Sequence, residues 1–163
     1  MTQTLNPEIS FSLLADNLEA ISTVAAWYFN EWGHKQKGNS FEATCERIKG
    51  KLNRDKPPLH VLAIKGNKLL GVAQLKLHEM AEYPDKEHWL GSVFVVPETR
   101  GQGVALGLCQ KVSEIAVSLG VRELYLSTDH LDGGVYARAG WIPYERTVSR
   151  GEDVLVMVKT LGE

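Results

Sequence analysis

Apolar positions along this chain follow two periods, one of two residues and one of between three and four, and each change of period marks a new element. Residues 9–13 alternate apolar and polar and predict a first strand. Leu18, Ile21, Ala25, Tyr28 and Trp32 then fall at helical spacing as a core stripe. Asp16 and Glu19 stand before them as a capping box, and Gly33 stands behind as the stop. Ser40 is placed to cap a second helix, in which Phe41, Cys45, Ile48 and Leu52 share a face. After a polar, proline-ended linker at 53–58, residues 59–65 and 69–77 read as strands joined by the tight turn Gly66-Asn67. A charged loop at 78–87 precedes another strand at 89–96.

The next change of period is the sharpest. Val93-Phe94-Val95-Val96 is a buried apolar strand end, and Pro97 cannot extend its ladder. From Val104 the spacing is helical again, through Leu108, Val112, Ile115 and Leu119. Between them lie Gly101 and Gly103, where backbone N–H groups can approach a ligand without an intervening side chain. Those donors sit at a helix N-terminus, which favours an anion, and Arg100 adds positive charge beside them. The stretch Arg100, Gly101, Gln102, Gly103, Val104, Ala105 is therefore read as a phosphate or pyrophosphate site. Gly120 ends this helix, residues 122–127 form a strand, and Asp132 caps a short helix through Gly133, Tyr136 and Ala139, with Gly140 at its end. Residues 141–150 and 154–160 make a final hairpin about Gly151. The strand-helix-strand order through this region implies a right-handed parallel crossover. The expected fold is α/β (α+β): a single domain over 1–163 with a mixed sheet of about seven strands, mostly antiparallel, with one central parallel pair and flanking helices.

Two motifs together carry a family resemblance. Arg100-x-x-Gly103-x-Ala105 and, a strand and a short helix later, Tyr136 through Gly140 and Trp141 are similar to the GCN5-related N-acetyltransferase family. In that family the first turn holds the pyrophosphate of acetyl-coenzyme A. The element order agrees as well, so the resemblance covers nearly the whole chain. It implies a splay between the two parallel strands, with backbone contacts to pantetheine from Phe94, Val95 and Val96. A backbone N–H near Val95 would serve as donor to the thioester oxygen. It also implies transfer of an acetyl group to a primary amine by direct attack in a ternary complex. Asp129 stands where many members carry an asparagine that contacts pantetheine; an ionised carboxylate accepts but does not donate, and Thr128 could compensate.

The chemistry can be followed from ordinary pKa values. An alkylammonium is about one part in a thousand neutral near pH 7.4, a deficit of roughly 4 kcal/mol. The departing thiolate could take its proton from a tyrosine, uphill by roughly 2 kcal/mol before local tuning. Tyr136 is the candidate acid. Candidates for the base are scattered: Glu79, Glu82, Glu87, His88 and His130, or a chain of waters. Trp27 and Glu31, four residues apart, could line an acceptor pocket with Glu87 and His88, whereas Trp32 reads as core. The acidic loop at 78–87 hints at a cationic acceptor.

Bulk properties narrow the field. The 163 residues suit one domain, and a formal net charge of -2 gives no electrostatic case for nucleic acid or an anionic membrane surface. No apolar run reaches the length of a membrane span, and the start of the chain lacks the basic and apolar segments of a signal peptide, which fits a cytoplasmic setting. Cys45 and Cys109 read as buried small hydrophobes, and the five histidines form no metal-binding spacing. A small-molecule or peptide amine is the expected partner, and a homodimer stays open. Two other readings remain at this stage. One is a module that binds acyl-coenzyme A without transferring the acyl group. The other is a nicotinamide-dependent oxidoreductase, since Gly101-x-Gly103-x-x-x-Gly107 with Glu123 superficially fits a dinucleotide fingerprint.

Overall fold

A computed structural model describes residues 6–162; of the N-terminal stretch examined for a leader, residues 1–5 lie outside them. Seven strands form one sheet: β1 (Ile9–Leu13), β2 (Leu59–Lys65), β3 (Lys68–Leu77), β4 (His88–Val95), β5 (Glu123–Thr128), β6 (Ile142–Ser149) and β7 (Glu152–Thr160). Their order across the sheet is β1-β2-β3-β4-β5-β7-β6, antiparallel everywhere except between β4 and β5. Helices α1 (Ile21–Glu31) and α2 (Phe41–Lys49) precede β2, while α3 (Val104–Ser118) and the short α4 (Gly134–Arg138) flank β5 in the chain. The mixed sheet with a central parallel pair is the one its patterning predicts. Among the described residues, no helix is long and apolar enough to cross a membrane.

Both faces of the sheet are covered, which is why β2 and β3 read as near-continuous apolar runs rather than alternating ones. Val61, Ala63, Ala73 and Leu75 point to one face and pack with Val104, Leu108, Val112 and Ala116 of α3. Leu62 and Val72, one residue out of step, point to the other and meet Val24 and Ala25 of α1 and Ile48 of α2. A third cluster corrects the view of 78–87 as merely a charged loop: Met80 and Tyr83 are buried against Trp89, Tyr125 and Val156. The apolar pair anchors a segment whose other side chains are mostly polar.

Three local expectations need revision. Asp16 and Glu19 form no capping box. They lie in two successive 3-10 turns, Leu14–Asp16 and Leu18–Ala20, and α1 starts only at Ile21, without a side-chain cap. Asp16 pairs instead with Arg54, and Asn17 holds the turn through Ser12 and the Leu13 carbonyl. Trp32 is not core, being 41% exposed at the end of α1, and Leu18 is 55% exposed. Gly33 opens a further 3-10 turn rather than closing the helix. The Ser40 cap is present, its hydroxyl accepting from the Ala43 N–H at 3.0 Å.

His60 is the buried polar group with the clearest thermodynamic consequence. It is 1% exposed, its Nδ1 donates to the Lys51 carbonyl at 3.3 Å, and burial lowers its pKa from 6.5 to about 3. Between those values the unfolded chain binds the extra proton, so stability is lost as pH falls below about 6.5. Urea unfolding should show a loss of about 2 kcal/mol at this residue between pH 7 and pH 5. A His60→Gln variant should lose less than the parent over the same interval by about that amount. Equal losses would remove the histidine as the cause. The closest packing in the sheet is at Gly71, where a Cβ would come within 2.6 Å of the Phe94 carbonyl oxygen of β4. Backbone cannot swing aside, so Gly71→Ala should cost about 1–3 kcal/mol in urea unfolding. A neutral result would mean that β4 moves freely.

Candidate functional site

The C-terminal end of β4 is held on one side only. Val96 N–H donates to the Leu70 carbonyl of β3 at 2.9 Å, so strand alternation turns the N–H and C=O of Val95 to the opposite edge. Val93, two residues earlier, faces that edge too, a participant that its sequence position did not single out. On that side the ladder to β5 consists of one pair, Trp89 with Tyr125, and the strands then diverge. A bulge at β4, with Ser92 at φ 50°, bends the strand just before the gap. Of the three backbone contacts expected at Phe94, Val95 and Val96, the open edge therefore offers the groups of Val95, while Val96 N–H is committed to β3.

Below the gap the chain makes a single 3-10 turn, Pro97–Thr99, and enters α3 through Gly101 at φ 80° and Gly103 at φ 85°. Positive φ at both positions explains why glycine occupies them. A Cβ on Gly101 would meet nothing within 4 Å, so the space before the helix is open. No side chain caps α3, and the first-turn N–H groups of Val104 and Ala105 have no acceptor within the helix. Gln102 is turned back, its Nε2 donating to the Glu98 carbonyl at 3.3 Å. Arg100 is also turned back rather than standing beside the amides. Its Nε donates to the Val95 carbonyl at 2.9 Å, and its guanidinium lies 5.6 Å over the Phe94 ring. The same ring stacks with Trp27, ring centroids 5.2 Å apart.

Tyr136 is carried by α4 and packs against the core cluster that includes Cys109 of α3. The helix starts at Gly133 (φ 89°), with Asp132 accepting from the Gly134 N–H at 3.0 Å, and it ends in a tight cap. Trp141 N–H bonds the Tyr136 carbonyl and Gly140 N–H bonds that of Ala137, with Gly140 at φ 91°. The Tyr-x-x-x-Gly-Trp spacing is thus a helix stop. Trp141 is buried in the core, and its indole meets the Tyr136 ring edge-on at 6.5 Å. Burial, reinforced by Cys109 and Asp129 nearby, holds the Tyr136 phenol well above its ordinary pKa. Burial also pushes the Cys109 thiol up to about 12, as suits a core cysteine. Asp129 itself is exposed and lies 3.8 Å from His130, while Thr128 Oγ1 accepts from the His130 N–H.

On the α1–α2 face beside the bulge is a cavity of about 180 Å³, lined among others by Tyr28, Arg47, Lys51, Gln74, Lys76 and Ser92. Polar residues at the inward positions Gln74 and Lys76 of an otherwise apolar strand were the signal for it in the sequence. Gln74 is 4% exposed; its Nε2 donates to Tyr28 Oη at 3.2 Å, and its Oε1 has no protein partner. The tryptophans exchange their expected parts: Trp27 packs into the core, and Trp32 lines the cavity. Glu31 is exposed on the last turn of α1. Glu87 and His88 lie 3.8 Å apart at the start of β4, roughly 20 Å of strand from Val95, and are not brought to the gap. Two carboxylates of the acidic loop are matched by lysines, Glu79 by Lys76 of β3 at 2.8 Å and Asp85 by Lys86 at 3.4 Å. Among the described residues, no three His, Cys, Asp or Glu side chains converge as a metal site.

One parallel pair in a largely antiparallel sheet is not a doubly wound dinucleotide fold, which removes the oxidoreductase reading. The comparisons agree. An aminoglycoside 6'-N-acetyltransferase solved with coenzyme A shares the fold at a TM-score of 0.72 and 14% identity, over 93% of this chain and 96% of that one. A GNAT-family acetyltransferase from Streptococcus pneumoniae gives 0.68 at 15% identity, over 94% and 99%. An acyl-CoA N-acyltransferase from Pseudomonas aeruginosa gives 0.62 at 17%, over 96% and 99%. Among curated protein sequences none matches. Residues 18–141 match the Acetyltransferase (GNAT) family, spanning the two helices before β2, the glycine turn and the tyrosine helix, and the chain belongs to that family.

Proposed function

We propose that this chain transfers the acetyl group of acetyl-coenzyme A to a primary amine by direct attack within a ternary complex. The observation that carries the reading is the conjunction of an uncapped, glycine-entered helix N-terminus with a strand edge at Val95 that β5 leaves unpaired and whose carbonyl the Arg100 side chain meets. An anion suits the first, and an amide-bearing chain suits the second. Acetyl-coenzyme A supplies the acetyl group as a thioester: a C–N bond forms, the C–S bond breaks, one proton leaves the amine and one reaches the sulfur.

Each residue then has a defined task. Amides of residues 101–105, with Arg100 swinging from the Val95 carbonyl, hold the diphosphate. The Val95 N–H, fixed by the register of β4 on β3, donates to the thioester oxygen as charge develops there. Phe94 and Trp27 wall the acyl end. Tyr136 gives its proton to the sulfur. Its raised pKa keeps the phenol protonated at any working pH, and the same dry surroundings make a new thiolate a stronger base than in water.

The Tyr136→Phe variant should lower kcat by roughly 10²-fold or more while changing the acetyl-coenzyme A Kd by less than about threefold. Thiol release and calorimetry read the two quantities separately. Equal loss of both would remove the acid assignment. Tight cofactor binding with no thiol release from any amine would leave a sensor module instead.

A further inference from the structure

The charge around the cavity beside the β4 bulge is one-sided. Its charged lining residues are Arg47, Lys51 and Lys76, Tyr28 being its other titratable group, and no carboxylate lines it. Lys76 is answered by Glu79 at 2.8 Å and bonds Ser92 Oγ at 3.2 Å. The other two cations are not answered. Arg47 bonds only the neutral Asn39 Oδ1 at 2.7 Å and Thr44 Oγ1 at 3.3 Å, and Lys51 makes no ion pair among the described residues. Deeper in, Gln74 Oε1 is a buried acceptor without a donor. Burial and the neighbouring Lys76 lower the Lys51 pKa, and Glu79 offsets part of this.

From this geometry we infer that the acetyl acceptor is a small amine bearing its own carboxylate, as an amino acid does. The carboxylate meets Lys51 and Arg47 at the cavity wall, which leaves the amine to point along β4 toward Val95. This rests on the transferase reading and names its substrate class. Size agrees: 180 Å³ lies below the range of about 300–1,000 Å³ for pockets that enclose drug-sized molecules. Position agrees too, since Ser92 lines the cavity three residues before Val95, roughly 10 Å along β4. The charge also bears on the missing base. An ammonium beside Arg47 and Lys51, with the nearby Glu79 engaged by Lys76 at 2.8 Å, loses its proton more readily than in water. The acceptor's carboxylate provides the attraction that its amine forgoes. A polycationic acceptor has no such compensation, which reverses the expectation drawn from the acidic loop.

The test compares the standard L-amino acids with their carboxamides in a thiol-release assay with acetyl-coenzyme A. At least one free acid should exceed its amide by tenfold or more in kcat/KM. For that acid, Lys51→Met should raise KM at least fivefold with the acetyl-coenzyme A KM little changed, while the KM of the amide should move by less than about twofold. Thermal melting of the variant checks that it is folded. Amides or plain alkylamines matching or outrunning the acids would overturn the inference and leave acetyl transfer standing. Thiol release from no amine of any class, with acetyl-coenzyme A bound in calorimetry, would overturn both.

Discussion

The site depends on an asymmetry in β4. Along one edge the strand is paired with β3 as far as Val96, and along the other it touches β5 at the single pair Trp89–Tyr125. A strand edge left open inside a sheet is costly unless something else satisfies its polar groups. Here the Arg100 side chain does so for the Val95 carbonyl, while Trp27 and Arg100 both pack on the Phe94 ring. The opening persists because both flanks are anchored elsewhere: β5 by its full antiparallel pairing with β7, and β4 by the tight seat of Phe94 over Gly71.

That opening gives the elements around it a common direction. Helix α3 starts directly below it, with glycines shaping the entry and no side chain filling the first turn. Helix α4 is too short to be stable alone, and its cap ties the Tyr136 carbonyl to the N–H of Trp141, whose side chain is locked in the core. The tyrosine is therefore placed by packing rather than by its helix. Across the sheet, the bulge at Ser92 turns β4 toward the cavity under α1 and α2. The uncapped entry of α3, the open edge at Val95 and the cavity thus become three stations along one strand and its continuation.

Much of the scaffold was legible in the order of residues. The seven strands, the glycine entry at 101–103, the Ser40 cap and the tyrosine helix ending at Gly140 follow from local chemistry: period-two and period-3.6 patterning, positive-φ positions, and a hydroxyl just ahead of a helix. The misreadings share a cause. Asp16 and Glu19 have capping-box spacing, but Asp16 is drawn to Arg54, which is distant in sequence. Trp27 and Trp32 sit on similar stripes, and only the approach of Phe94 decides which of them is covered.

The sequence by itself determined that this chain folds as a mixed sheet about one parallel crossover and that an anion-favouring turn follows β4, because backbone geometry and apolar period are local properties. Only the tertiary structure decided which charges share a cavity. Arg47, Lys51, Gln74 and Lys76 come from a helix, the loop after it and a strand, and the closing of α2 over the bulge gathers them. Glu87 and His88, adjacent to the right strand in sequence, were left at its far end by the rise of an extended chain, a distance that residue type cannot reveal.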